Sequence, residues 1–149
     1  MVDIDHFKSV NDTWGHPVGD VALKFVVEAL KESLRPGDSA FRYGGEEIAI
    51  IITNNPNEEN LMNIGNRMRD KVTQKIEYEK TRNEVLAKME TRKITISIGA
   101  ACMYLNKRKE FNSKMIEIKA VELKTEADKM LYVAKNNGRN QVRITRIDI

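Results

Sequence analysis

A short polar turn between two runs of strand-forming residues restricts this fold more than any other feature. Phe41-Arg42-Tyr43 and residues 48–52 are rich in aromatic and β-branched side chains, and Gly44-Gly45-Glu46-Glu47 separates them. A gap that short closes a hairpin but cannot carry the crossover that parallel strands need. At least one pair of neighbouring strands is therefore antiparallel, which counts against a doubly wound parallel sheet. The same turn sets two acidic side chains at a hairpin tip.

Around the hairpin, apolar residues follow helical and strand periods in turn. Residues 1–4 read as the tail of a strand and 7–13 as a short helix. Over 20–34, Ala22, Phe25, Val26, Ala29, Leu30 and Leu34 fall at helical spacing until Arg35-Pro36-Gly37 ends the run. Leu61, Ile64, Met68, Val72 and Ile76 make one stripe of a helix over 58–76. Ile94, Ile96 and Ile98 alternate with Thr95 and Ser97 in a strand that Gly99 closes. A third helix over 121–136 stops at Asn137-Gly138, ahead of a last strand over 142–144. This order predicts a single α/β (α+β) sandwich with helices packed on an open, mixed or antiparallel sheet, without internal repeats.

The 149 residues suffice for one core. A net charge of +3 falls short of the basic face of a dedicated nucleic-acid binder, although it suits a polyanionic small substrate. Cys102 is the lone cysteine, and no apolar run is long enough to cross a bilayer, so a reducing, cytoplasmic setting with no membrane segment is expected. The charge-rich stretches 77–93 and 107–124 read as solvated surface.

Chemistry concentrates at Asp3-Ile4-Asp5, on a strand end, and at Glu46-Glu47, on the hairpin tip. Hard cations such as Mg²⁺ take one or two carboxylates together with substrate phosphates, so two acidic clusters at sheet edges can form a metal-phosphate site. Solvated turns are the commoner use of such acids, and Gly-Gly pairs are common in plain hairpins as well as beside ligands.

Gly44-Gly45-Glu46-Glu47-Ile48 resembles the GG(D/E)EF signature of the GGDEF family of diguanylate cyclases, with Ile48 in place of the usual phenylalanine. Asp3-Ile4-Asp5-His6-Phe7-Lys8, Asn11-Asp12, Gly15-His16 and Gly19-Asp20 resemble the family's DxDxFKxxND…GHxxGD block at matching spacing. Ile96-Ser97-Ile98-Gly99, then Ala127-Asp128, Ala134-Lys135 and Gly138-Arg139-Asn140, resemble its later strand, last helix and GRN turn.

The resemblance implies a palm-like, ferredoxin-like mixed sheet related to adenylyl cyclase and polymerase palm domains. It implies a single GGDEF domain over 1–149 that lacks its N-terminal helix and the start of its first strand, and that belongs to a larger sensor protein. Two GTP molecules would be condensed into cyclic di-GMP with release of pyrophosphate, each held by one copy of a homodimer.

By the same resemblance, Asp3, the Ile4 carbonyl and Glu46 hold Mg²⁺ or Mn²⁺. Glu46 with Glu47 assists deprotonation of the attacking hydroxyl. Phe7, Lys8, Lys135 and Arg139 contact the substrate, the three cations through its phosphates, while Asn11 and Asp20 read guanine. Asp20 also reads as a helix N-cap, Asn11 as a turn residue, and Lys135 and Arg139 as partners of a helix C-terminus. His16 and Trp14 are assigned structural roles. Arg35 and Asp38, in Arg35-Pro36-Gly37-Asp38, resemble the RxxD site where the family binds its product as an inhibitor, with Arg67 completing it. The rival reading is an inactive domain serving as a GTP or cyclic di-GMP receptor.

Overall fold

The computed structural model describes residues 1–54, 56–104 and 112–148. In chain order the elements are β1 (Val2–Ile4), α1 (Phe7–Trp14), α2 (His16–Glu32), β2 (Ser39–Gly44), β3 (Glu47–Ile51) and α3 (Glu58–Lys80), followed by α4 (Glu84–Ala87), β4 (Ile96–Tyr104), α5 (Ser113–Asn136) and β5 (Val142–Asp148). The strands form one sheet in the order β2-β3-β1-β4-β5. Only β4 and β5 run parallel, so the sheet is mixed, with β2 and β3 as its antiparallel hairpin.

The register decides which face is apolar. Val2 lies opposite both Ile48 and Ile98, and Ile4 lies opposite Ile96. With a side-chain period of two, these residues share one face, and there they meet Val26 and Leu30 of α2 and Met68 and Val72 of α3 in a single core. Ile48 is 2% exposed; at this position of the signature an apolar side chain fills the core rather than serving a ligand. Asp3, Glu47, Ser97 and Gly99 alternate with those residues and face the other way, towards α5. A Cβ on Gly99 would come 2.0 Å from Leu131 N and 2.2 Å from Ala127 O, so α5 rides directly on the β4 backbone.

Several elements outrun their sequence signals. Helix α2 starts at His16 because Pro17 sits in its first turn, where a missing N–H leaves nothing unpaired. Strand β4 continues through Gly99, which marks the helix crossing and not a strand end, and β5 pairs with it in parallel as far as Asp148. Helix α5 begins at Ser113, capped by the Asn112 side chain accepting from Met115 N at 2.9 Å. Part of the 107–124 stretch is thus regular helix, and residues 105–111 lie outside the described residues. The stretch 77–93 is not merely solvated either. Helix α3 runs on to Lys80, and Leu86 and Met89 are 0% and 1% exposed against the core.

Candidate active site

Antiparallel pairing sets Asp3 opposite Glu47 on β3 and opposite Ser97 on β4. Such cross-strand neighbours carry their Cβ atoms roughly 5 Å apart. The β2–β3 turn is Gly45-Glu46, braced by Arg42 Nε donating to Gly45 O at 3.0 Å. A register shift between Arg42 and Gly44 bulges β2 just before the turn, and bulges re-aim the side chains beside them. On the same face, from α5, Lys135 Nζ lies 2.8 Å from Asp3 Oδ2.

Asp3 is 6% exposed. Burial pushes its carboxyl above the usual carboxylate range; Lys135 pulls it back, and the charges of Glu46 and Glu47 push it up further. Asp3 thus has the Lys135 ammonium beside it and the charges of Glu46 and Glu47 close enough to raise it, a concentration of negative charge that a cation would relieve. The oxygen set of Asp3, the Ile4 carbonyl and Glu46 suits Mg²⁺ or Mn²⁺. The β3 ladder ends opposite Asp3, leaving Ile4 without a β3 partner. Among the described residues, no three His, Cys, Asp or Glu side chains are gathered closely enough to cage a metal alone. An ion held here would take its remaining ligands from substrate phosphates and water, as is usual for Mg²⁺.

The β1–α1 link supplies donors. His6 has φ 56°, and no side chain caps α1, so the first-turn N–H groups carry no side-chain acceptor. Lys8 is exposed on that turn. Phe7 is 7% exposed, so its ring belongs to the core and its backbone is the part within reach of a ligand. Asn11 packs on Gly19, the residue before Asp20: a Cβ there would lie 1.8 Å from Asn11 Oδ1. Asp20 is not an N-cap, because α2 has already started at His16 with Gly15 in the capping position. It is exposed, beside a cleft of about 660 Å³ between α2 and the hairpin that Leu23, Arg42 and Ile48 also line.

At the C-terminal end of α5, just past Lys135, Arg139 N donates to Ala134 O at 3.0 Å, the closing bond of a glycine-capped helix end at Gly138. Arg139 and Asn140 then adopt φ 62° and 44°. Left-handed backbone costs a non-glycine residue roughly 1–2 kcal/mol, so something must hold this turn. Asp5 does so from below. Its Oδ1 accepts from Ser97 Oγ at 2.6 Å, and its Oδ2 accepts from Thr95 Oγ1 at 2.7 Å and Asn140 N at 3.0 Å. Asp5 is therefore a bracket beside the acidic site, not a free ligand within it.

Arg35 and Arg67 flank the C-terminal end of α2, where Arg67 Nη2 donates to Ser33 O at 3.0 Å. The Asp38 carboxylate accepts from Arg35 N at 3.1 Å and from Thr53 N at 2.9 Å. Slight burial would raise its pKa, but these hydrogen bonds outweigh it and hold Asp38 below the usual carboxylate range. Both arginines are exposed residues.

Sequence reasoning missed Asp5 as a bracket, Arg69, which grips Asn140, and Lys124, whose Nζ stands 4.5 Å from the Tyr43 ring centroid and ties α5 to the bulged strand. Thr95 and Ser97, alternating with isoleucines, carried the one local signal for the bracket.

The family model for "Diguanylate cyclase, GGDEF domain" matches residues 1–141. The chain is 38% identical over 142 residues to the probable diguanylate cyclase DgcT of Escherichia coli, covering 95% of this chain and 28% of that protein. It is 37% identical over 147 residues to diguanylate cyclase A of Treponema denticola, covering 98% of this chain and 34% of that one. It thus spans about a third or less of each. The GGDEF domain of DgcB from Caulobacter crescentus, solved with c-di-GMP, superposes with TM-score 0.72 at 30% identity, over 96% of this chain and 74% of that one. The active GGEEF domain of a Vibrio cholerae diguanylate cyclase superposes with TM-score 0.71 at 26% identity, over 98% and 80%. With the family model spanning nearly its whole length, this chain belongs to the GGDEF-domain family of diguanylate cyclases.

Proposed function

We propose that this chain is the catalytic domain of a diguanylate cyclase that condenses two GTP into cyclic di-GMP. The observation that carries the reading is Asp3: a buried carboxylate opposite the signature hairpin, raised by burial and by Glu46 and Glu47, and paired with Lys135. Charge held in this way is positioned for a polyanionic substrate and its cation.

Asp3, the Ile4 carbonyl and Glu46 would hold Mg²⁺ or Mn²⁺, which neutralises triphosphate charge and polarises the reacting phosphoryl group. The uncapped first turn of α1, Lys8, Lys135 and Arg139 bind phosphate oxygens. Asn11 and Asp20 hold guanine, an amide and a carboxylate matching the acceptor and donor edge of that base. The 3′ oxygen of one GTP attacks the α-phosphorus of the other, and its proton passes to Glu46, assisted by Glu47. The bond from that phosphorus to the oxygen bridging to the β-phosphate breaks, and pyrophosphate leaves. A second, symmetric attack closes the ring. Because each domain holds one GTP, two copies must face one another. Arg35, Asp38 and Arg67 bind the product as an inhibitor, the two arginines supplying planar forks for its phosphates and guanines.

The test is pyrophosphate release from GTP with Mg²⁺ or Mn²⁺, compared with ATP and with Glu46→Ala. Release from GTP alone, abolished in the variant, supports the reading. Release that survives Glu46→Ala overturns it.

A further inference from the structure

Carboxylates are rarely buried without a cation beside them, yet Asp5 is 5% exposed and makes no ion pair with another described residue. Three neutral donors satisfy it instead: the Ser97 and Thr95 hydroxyls and the Asn140 N–H. They lie 92, 90 and 135 residues along the chain from Asp5, so one side chain fastens the end of β1 to the start of β4 and to the turn after α5. A second clamp grips that turn from α3. Arg69 Nε and Nη2 donate to Asn140 Oδ1 at 3.1 and 2.8 Å, and Arg69 Nη1 is itself fixed on Asn66 Oδ1 at 2.9 Å.

The two clamps meet on the strained part of the backbone. Arg139 and Asn140 are consecutive left-handed residues that are not glycine, a conformation that persists only where its surroundings over-determine it. Between the clamps, the half-buried Arg139 guanidinium makes no hydrogen bond to another described residue. Buried polar networks whose members are all satisfied rigidify and specify one arrangement, and this bracket fixes the geometry of the turn.

We propose that Asp5 is a positioning residue: with Thr95, Ser97 and the Arg69–Asn140 clamp, it locks the 138–141 turn so that Arg139 is presented, already oriented, to the triphosphate of the bound nucleotide. This rests on the phosphate role given to Arg139 above. It assigns the two acids of Asp3-Ile4-Asp5 to separate tasks, Asp3 to the cation and Asp5 to the geometry of a phosphate-binding arginine.

A double-mutant cycle tests it, read by calorimetric binding of a GTP analogue whose α–β bridging oxygen is replaced by methylene, with Mg²⁺ present. Asp5→Asn keeps the shape and removes the charge. Asn140→Gly, on an exposed turn, keeps the left-handed backbone and removes the acceptor of Arg69, so it carries the cycle alone if Asp5→Asn does not fold. Each should weaken binding on the order of tenfold in the parent chain, and by less than about twofold once Arg139 is already alanine. A full penalty in the Arg139→Ala background would mean a merely structural carboxylate and overturn the proposal. Unaltered binding in Asp5→Asn and Asn140→Gly would also overturn it. Arg139→Ala binding as tightly as the parent would remove the phosphate role of Arg139, and this proposal with it, while leaving Asp3 and Glu46 untouched.

Discussion

Gly99 is where helix α5 bears on the sheet, and Gly99→Ala is the sharpest single test of how the site is assembled. The added Cβ would sit 2.0 Å from Leu131 N and 2.2 Å from Ala127 O, against the 3.4 Å at which ordinary contact begins. Both obstructing atoms are backbone, so no side-chain rotation relieves them; α5 must lift by about 1 Å or β4 must deform. Overpacking of this kind costs about 1–3 kcal/mol, and a clash on two backbone atoms belongs at the upper end. At about 3 kcal/mol the midpoint of thermal unfolding should fall by roughly 10 °C. Gly65→Ala is the matched control. Its Cβ would meet two methyls of Val142 at 2.8 and 2.9 Å, a side chain that can move, and should cost about 1 kcal/mol. Because α5 also carries Lys135, pyrophosphate release by the folded Gly99→Ala chain should fall by about a hundredfold. Calorimetric melting with a turnover assay below the midpoint reads both effects. A Gly99→Ala midpoint within about 2 °C of the parent, or no lower than that of Gly65→Ala, would refute the crossing described here.

The other expectations concern charge. Asp3 has a folded-state pKa above its unfolded value, so its ionisation opposes folding: stability is lost as pH rises from the ordinary carboxylate range through the raised value. Without metal, Asp3→Asn should therefore match or exceed the parent's stability at neutral pH, as denaturant melts against pH will show; with Mg²⁺ or Mn²⁺ present it should lose pyrophosphate release. Saturating Mn²⁺ at about 100 times its Kd should add roughly 2.7 kcal/mol to the parent and nothing to Asp3→Asn. Mn²⁺ affinity, followed by titration, should rise with pH through the same raised window, because the cation requires the ionised form. Arg35→Ala and Arg67→Ala should each weaken binding of cyclic di-GMP by at least about tenfold, as expected for loss of a charged hydrogen bond, with initial turnover unchanged.

Local signals carried much of this architecture. The hairpin was legible because β2 and β3 are adjacent in sequence and Gly44-Gly45 marks their turn. The isoleucine alternation from Ile94 to Ile98 likewise showed which side chains share the apolar face of β4, though not that Ser97, on the other face, is buried too. Element ends were less legible. Pro17 looks like a breaker but sits harmlessly in the first turn of α2, and Gly99 looks like a strand end but is a helix crossing. A glycine's sequence neighbours do not reveal which element presses on it. The family resemblance picked out Asp3, Glu46, Asn11, Asp20 and Lys135; the fold brings Asp3 to Lys135 and the Glu46 charge, and Asn11 to the Gly19-Asp20 corner. The bracket on Asp5 escaped because its partners, Thr95, Ser97 and Asn140, are far away in the chain and meet only when the sheet forms. Tyr78 to Lys93 looked polar by composition, yet Leu86 and Met89, spaced three apart, are enough to seat it on the core.

The central claim is tested most directly by the identity of the product. The purified chain, at high concentration so that copies can pair, is incubated with GTP and Mg²⁺ or Mn²⁺, and its nucleotides are resolved by chromatography and mass. The account predicts cyclic di-GMP from the parent, and none from Glu46→Ala at equal protein. Cyclic di-GMP bound tightly but never formed, even with a dimerising segment fused to the chain, would contradict it and make the domain a receptor.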